Sequence, residues 1–142
     1  MEASREEAEH RFTRAPRAAA GGAPADVTRA KLRDSLDAIA SFLDHAVAGG
    51  RTGFARNSPA YASGSMAIIR AAALFESGEF HVFLGDTPDD VVAALRTIRN
   101  IASHGGYRSM NDDVFWATLT NHLPPYLERW RASIAPDAGR DS

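Results

Sequence analysis

Leu32, Leu36, Ile39 and Leu43 follow one another at steps of four, three and four residues. No other feature constrains the fold as much. A β-strand would split these four side chains between its two faces, whereas an α-helix gathers them on one stripe. Ala46 and Val47 extend the stripe, and Gly49-Gly50 stops it. Asp26 stands before the pattern as a plausible N-cap. The same period returns after Thr87-Pro88-Asp89-Asp90, which supplies a Thr cap, a first-turn proline and two acids at the positive end of a helix. Val91/Val92, Leu95, Ile98 and Ile101/Ala102 then form the buried stripe of that helix.

Two more helices complete the pattern. Ser58-Pro59 caps a helix running to about Ser77, with Tyr61, Met66, Ile69, Ala73 and Leu74 as its core side chains. Its small residues, Ala62, Ser63, Gly64, Ser65 and Ala67, permit close helix packing. Arg70 interrupts the apolar run and is expected to be partly enclosed, and Glu76 is read as an ordinary ion-pairing residue. Asn111-Asp112-Asp113 caps the next helix, with Val114, Phe115, Leu119, His122 and Leu123 on its buried face and Trp116 at the edge. His122 reads there as a satisfied structural histidine. Pro124-Pro125 breaks or kinks the run before Tyr126 to Trp130 resume it. Phe54 anchors the loop after the first helix, and residues 78–85 form a connector or helical turn over the core. The chain therefore reads as an all-α bundle of four to five helices in up-down order over residues 27–134. Residues 1–26, with no apolar face to bury, read as a disordered N-terminal tail, and residues 135–142 as a C-terminal tail.

A chain of 142 residues with this apolar content builds one core without disulfides, and it has no Cys to form them or a thiolate zinc site. The net charge of −2 excludes a globally basic nucleic-acid binder, though not a local patch. Of 16 basic residues all but Lys31 are Arg, so arginine counts by themselves carry little weight. No apolar run approaches the ~20 residues of a membrane span, and the first residues lack a signal-peptide core, so a cytoplasmic protein without membrane contact is expected. Phosphate-loop, dinucleotide-binding and nucleophile-elbow motifs are absent, and His45 has no partner at metal-ligand spacing. Neither a cofactor nor a metal is expected.

The chemistry concentrates at residues 98–107. From Leu95 to Met110 there are three arginines, Arg96, Arg99 and Arg108, and no acid. Arg99 offers a permanent planar cation suited to phosphate, and His104 a group that titrates near neutral pH. Five positions separate them, about 500° at roughly 100° per residue, so one straight helix does not aim both at one point. They meet only if the helix end unwinds at Gly105-Gly106 or a second copy faces the first. On chemistry alone, a helix-end His and a salt-bridged Arg, for example with Asp112, explain the stretch better.

The run RNIASHGGYRSMNDDVFWATLTNHLPPYLERW, residues 99–130, resembles the C-terminal half of the HepT-like toxins of the HEPN superfamily. The matching positions are Arg99, Asn100, His104, Tyr107, Asp112/Asp113, Trp116 and the Asn121-to-Tyr126 turn with its Leu-Pro. The resemblance extends more loosely over the two preceding helices. It implies a dimeric helical bundle that joins two Arg/His pairs and cleaves RNA without a metal. It also implies a type VII toxin–antitoxin system whose nucleotidyltransferase-fold antitoxin adenylylates the Tyr after the His. Carried over, His104 is the acid/base group, Arg99 the phosphate and transition-state binder, Asn100 a polar helper and Tyr107 the modification target. Tyr107 stands three residues after His104 where the family Tyr stands two, and Phe75-Glu76 replaces the family's Gly-Glu pair. The alternative reading is a non-catalytic HEPN module that binds a nucleotide or a nucleotidyltransferase partner.

Overall fold

The computed structural model describes residues 22–103 and 110–136. The fold is all-α, with no strand among the described residues. In chain order the elements are α1 (Gly22–Val47), a single turn α2 (Gly50–Gly53), α3 (Pro59–Ala73), a single turn α4 (His81–Leu84), α5 (Asp89–Ser103), α6 (Asp112–Ala117), a π-helical turn (Thr118–His122) and α7 (Leu123–Ser133).

The chain divides into two compact units, residues 1–31 and 32–142. The boundary falls five residues beyond the expected end of the N-terminal tail. The described residues of the first unit are helical. Asp26 is not the cap of α1, which has already begun at Gly22. Asp26 lies inside the helix and pairs with Arg29 at 3.8 Å, while Thr28 Oγ1 donates to the Pro24 carbonyl at 2.9 Å. Pro24 is tolerated because an opening turn has no acceptor waiting for its missing N–H.

In the second unit, Leu32, Leu36, Ile39, Leu43 and Ala46 are all buried, as their spacing requires. Phe54 is fully buried and centres an aromatic cluster, with ring centroids 5.0 Å from Tyr61, 5.3 Å from Phe115 and 5.2 Å from Trp116. Ser58 caps α3 by accepting from the Tyr61 amide at 3.2 Å, and Asn111 caps α6 by accepting from the Val114 amide at 3.0 Å.

The buried face of α3 differs from the expected one. Tyr61, Gly64, Ser65, Ala67, Ile68, Ala71 and Ala72 face the core. Met66 and Ala73 are exposed and Ile69 is half-buried. Gly64 explains the choice of face. A Cβ there would stand 2.7 Å from Leu119 Cδ1 and 3.0 Å from Phe54 Cε1, so α3 approaches both residues as closely as a hydrogen side chain allows. The helix packs along α5, and α4 packs against α7. Residues 78–85 form the helical-turn connector, with Phe80 and Leu84 buried and His81 and Val82 exposed.

Two other local details depart from expectation. Thr87 does not cap α5. Its hydroxyl accepts from Trp130 Nε1 at 3.1 Å, both residues being buried, and the Pro88 carbonyl receives the first helical amides, from Val91 and Val92. Pro124-Pro125 does not break the last helix but is absorbed by it. Neither proline can donate back to the preceding turn, and the chain widens to a π turn in which the Leu123 amide donates to the Thr118 carbonyl five residues back. The extra residue rotates the register by about 100°. His122 and Val114, both expected to be buried, are exposed.

Candidate functional site

Arg96 and Arg99 are three residues apart and therefore neighbours on one flank of α5. Both reach the chain just past the end of α3. Arg96 Nη2 donates to the Phe75 carbonyl at 3.2 Å, and Arg99 Nη1 forms an ion pair with Glu76. Cations placed at the carbonyl end of a helix are favoured by its dipole and by its unpaired acceptors. Arg99 Nε donates to Asn100 Oδ1 at 3.1 Å, so the residue after the arginine helps to orient it. The Arg99 side chain is 23% exposed and that of Glu76 48%, which leaves the pair open to screening by water. Arg99 Nη2 makes no hydrogen bond among the described residues.

The structure thus joins Arg99 and Asn100 and adds Glu76 to them. Glu76, in the turn past α3, is an ion-pairing residue, as its sequence context suggested, and it rather than Asp112 is the partner of Arg99. Two of the expected site residues, His104 and Tyr107, lie outside the described residues, as does Arg108 of the basic cluster.

Asp112 instead belongs to a second cluster at the start of α6. Its Oδ1 accepts from Arg56 Nη2 at 2.9 Å and from the Tyr61 hydroxyl at 3.2 Å. Arg56 Nη2 also donates to the Met110 carbonyl at 2.9 Å, and Arg51 pairs with Asp113 at 2.9 Å. The loop carrying Phe54 is in this way clamped to the first turn of α6. The hydrogen bond from Arg56, together with its charge, holds the Asp112 carboxyl below the usual carboxylate range. Burial, reinforced by the Asp112 charge, pushes the Tyr61 phenol up to about 12. Sequence reading missed this clamp because its members are more than fifty residues apart and each is unremarkable alone.

Among the described residues, no group of three or more His, Asp or Glu side chains is arranged to hold a metal ion. His45 is a surface residue whose Nδ1 lies 2.8 Å from the Ser41 carbonyl. No described helix is long and apolar enough to cross a membrane. Comparison of the chain with protein families, with curated proteins and with solved structures finds no match.

Proposed function

We propose that this chain is a HepT-like RNA endonuclease toxin of the HEPN superfamily, acting in the cytoplasm as a homodimer. The observation that carries the reading is the preparation of Arg99. Glu76 and Asn100 hold the guanidinium through Nη1 and Nε, and its Nη2 makes no hydrogen bond among the described residues. In this mechanism RNA supplies its own nucleophile. One His104 takes the 2′-hydroxyl proton as the O2′–P bond forms, and the other protonates O5′ as the P–O5′ bond breaks. The products are a 2′,3′-cyclic phosphate and a 5′-hydroxyl. Arg99 stabilises the charge that accumulates on the pentacoordinate phosphorus. One histidine does not act readily as base and acid in the same step, and a two-fold axis supplies the second. Asn100 is the polar helper that keeps Arg99 aimed. The cognate nucleotidyltransferase-fold antitoxin silences the site by modifying Tyr107.

The test is cleavage of single-stranded RNA by purified protein. His104→Ala and Arg99→Ala each lower the rate by roughly 10²-fold or more while the dimer persists. Full cleavage by the His104→Ala protein overturns the reading. A second reading, the non-catalytic module that binds a nucleotide or nucleotidyltransferase partner, draws on the same ion pair, since a carboxylate on Arg99 offsets the charge that a phosphate would meet. A dimer that binds its partner tightly and leaves RNA intact favours that module.

A further inference from the structure

The flank of α5 away from α3 is left partly unpacked. Val91, Ala94 and Ile98, spaced three and four residues apart, form one ridge of a groove with a volume of about 290 Å³. Only Leu95 and Ala102 of α5 are buried, although its apolar and polar residues are sharply segregated. The opposite rim comes from the π turn and α7, through His122 and Tyr126, and the buried Leu95, Leu123 and Trp130 form the floor. The His122 imidazole makes no hydrogen bond among the described residues. The volume of the groove is at the bottom of the ~300–1,000 Å³ typical of small-molecule sites. From Val91 to Ile98 the ridge rises about 10 Å, the span of two helical turns.

The two ends of the groove differ in charge. The bond from Trp130 to Thr87 brings the Tyr126–Trp130 end beside the start of α5, where Asp86, Asp89 and Asp90 are exposed. None of the three carboxylates forms an ion pair among the described residues. Arg129, the cation at that end, lies over the Tyr126 ring with its guanidinium carbon 5.2 Å from the centroid and leaves the acids unpaired.

We propose that this groove docks an amphipathic helix of another protein, with apolar anchors at i, i+4 and i+7 and a basic last turn lying against Asp86 and Asp90. Apolar anchors over Leu95, Leu123 and Trp130 supply the affinity, and the unpaired acids set the direction. A basic last turn also suits the partner helix's own dipole. The unpaired acids select a basic partner by charge complementarity, which commits the groove to a chain of that chemistry.

The probe is a fluorescein-labelled Ala-based helical peptide with Leu at i, i+4 and i+7 and Arg in its last turn, titrated by fluorescence anisotropy into the full chain. Micromolar binding is expected. Ala94→Arg, at an exposed position, puts a long cation into the groove and weakens binding at least about tenfold without changing the thermal melt. Asp86→Asn with Asp90→Asn weakens binding several-fold and flattens its salt dependence. The same peptide with Ser in place of Leu does not bind. Undiminished binding to the Ala94→Arg protein, or no binding of the Leu peptide up to millimolar concentration, overturns the proposal. So does sedimentation showing that the wild-type chain self-associates and the Ala94→Arg chain does not, since the groove then belongs to a second copy.

Discussion

Gly64→Ala adds one methyl group to the interior of α3, and its effect follows from two opposed terms. At an unhindered helix interior the change stabilises by about 0.5–1 kcal/mol, because Ala loses less backbone freedom on folding. Here the added carbon stands 2.7 Å from Leu119 Cδ1 and 3.0 Å and 3.4 Å from two atoms of the Phe54 ring. Favourable carbon–carbon contact begins near 3.5 Å. Leu119 and Phe54 are both fully buried, so neither can swing into solvent to make room. Overpacking of this kind costs about 1–3 kcal/mol. The balance is a loss of about 0–2.5 kcal/mol, centred near 1. Urea unfolding followed by far-UV circular dichroism measures it as a lower midpoint at constant slope. A Leu119→Ala background removes the shortest contact, so Gly64→Ala is less destabilising there, and the difference is the coupling energy of the pair. A stability gain of about 0.5–1 kcal/mol for Gly64→Ala alone would refute the close approach of α3 to the π turn.

Three further expectations concern charged groups. Glu76→Gln leaves stability within about 1 kcal/mol, since the pair is half-exposed, and by releasing the Arg99 charge strengthens binding of a short single-stranded RNA up to about fivefold in a low-salt anisotropy titration; weaker binding contradicts competition between Glu76 and phosphate. The lowered pKa of Asp112 means that its carboxylate contributes stability in full above the unfolded value near 3.8 and loses that contribution as pH falls through the folded value. Acid unfolding of Asp112→Asn therefore shows a shallower fall below about pH 4 than the wild type, and identical slopes contradict the clamp. The Tyr61 phenol titrates at about 12 against an ordinary 10.0, so the folded state keeps a proton that the unfolded chain gives up. Stability falls as pH rises from about 10 towards 12, and Tyr61→Phe removes that part of the fall; a Tyr61 absorbance step at ordinary alkaline pH refutes the assignment.

Local chemistry was the part of this fold most legible in the sequence. Ser58-Pro59 and Asn111 cap their helices because a cap needs only a side-chain oxygen and an amide three residues on. The stripe of α1 was legible because its polar and apolar residues separate cleanly. That of α3 was not. The helix is apolar nearly all round, so its sequence supports more than one buried face, and the approach of Phe54 and Leu119 to Gly64 decides between them. Thr87 reads as a cap until Trp130, 43 residues later, takes its hydroxyl. The exposure of His122 depends on a π turn that shifts the register by one residue, which a strict 3.6-residue period does not anticipate. Near Arg99, the role of Glu76 was half legible. Its character as an ion-pairing residue was evident, but its partner lies 23 positions away on the next long helix. The stretch around Arg99 holds no acid, and the carboxylate that pairs with it comes from Glu76, past the end of α3.

If Arg99 and His104 cleave RNA through its own 2′-hydroxyl, the chemistry of the product ends reveals it. Wild-type protein is incubated in the presence of a chelator with a short RNA and with the same oligonucleotide carrying 2′-O-methyl groups throughout, and the fragments are resolved by mass spectrometry. Fragments ending in 2′,3′-cyclic phosphate and 5′-hydroxyl are expected from the RNA alone, and none from the methylated strand or with the Arg99→Ala or His104→Ala protein. Cleavage of the methylated strand, or undiminished cleavage by either variant, would contradict it.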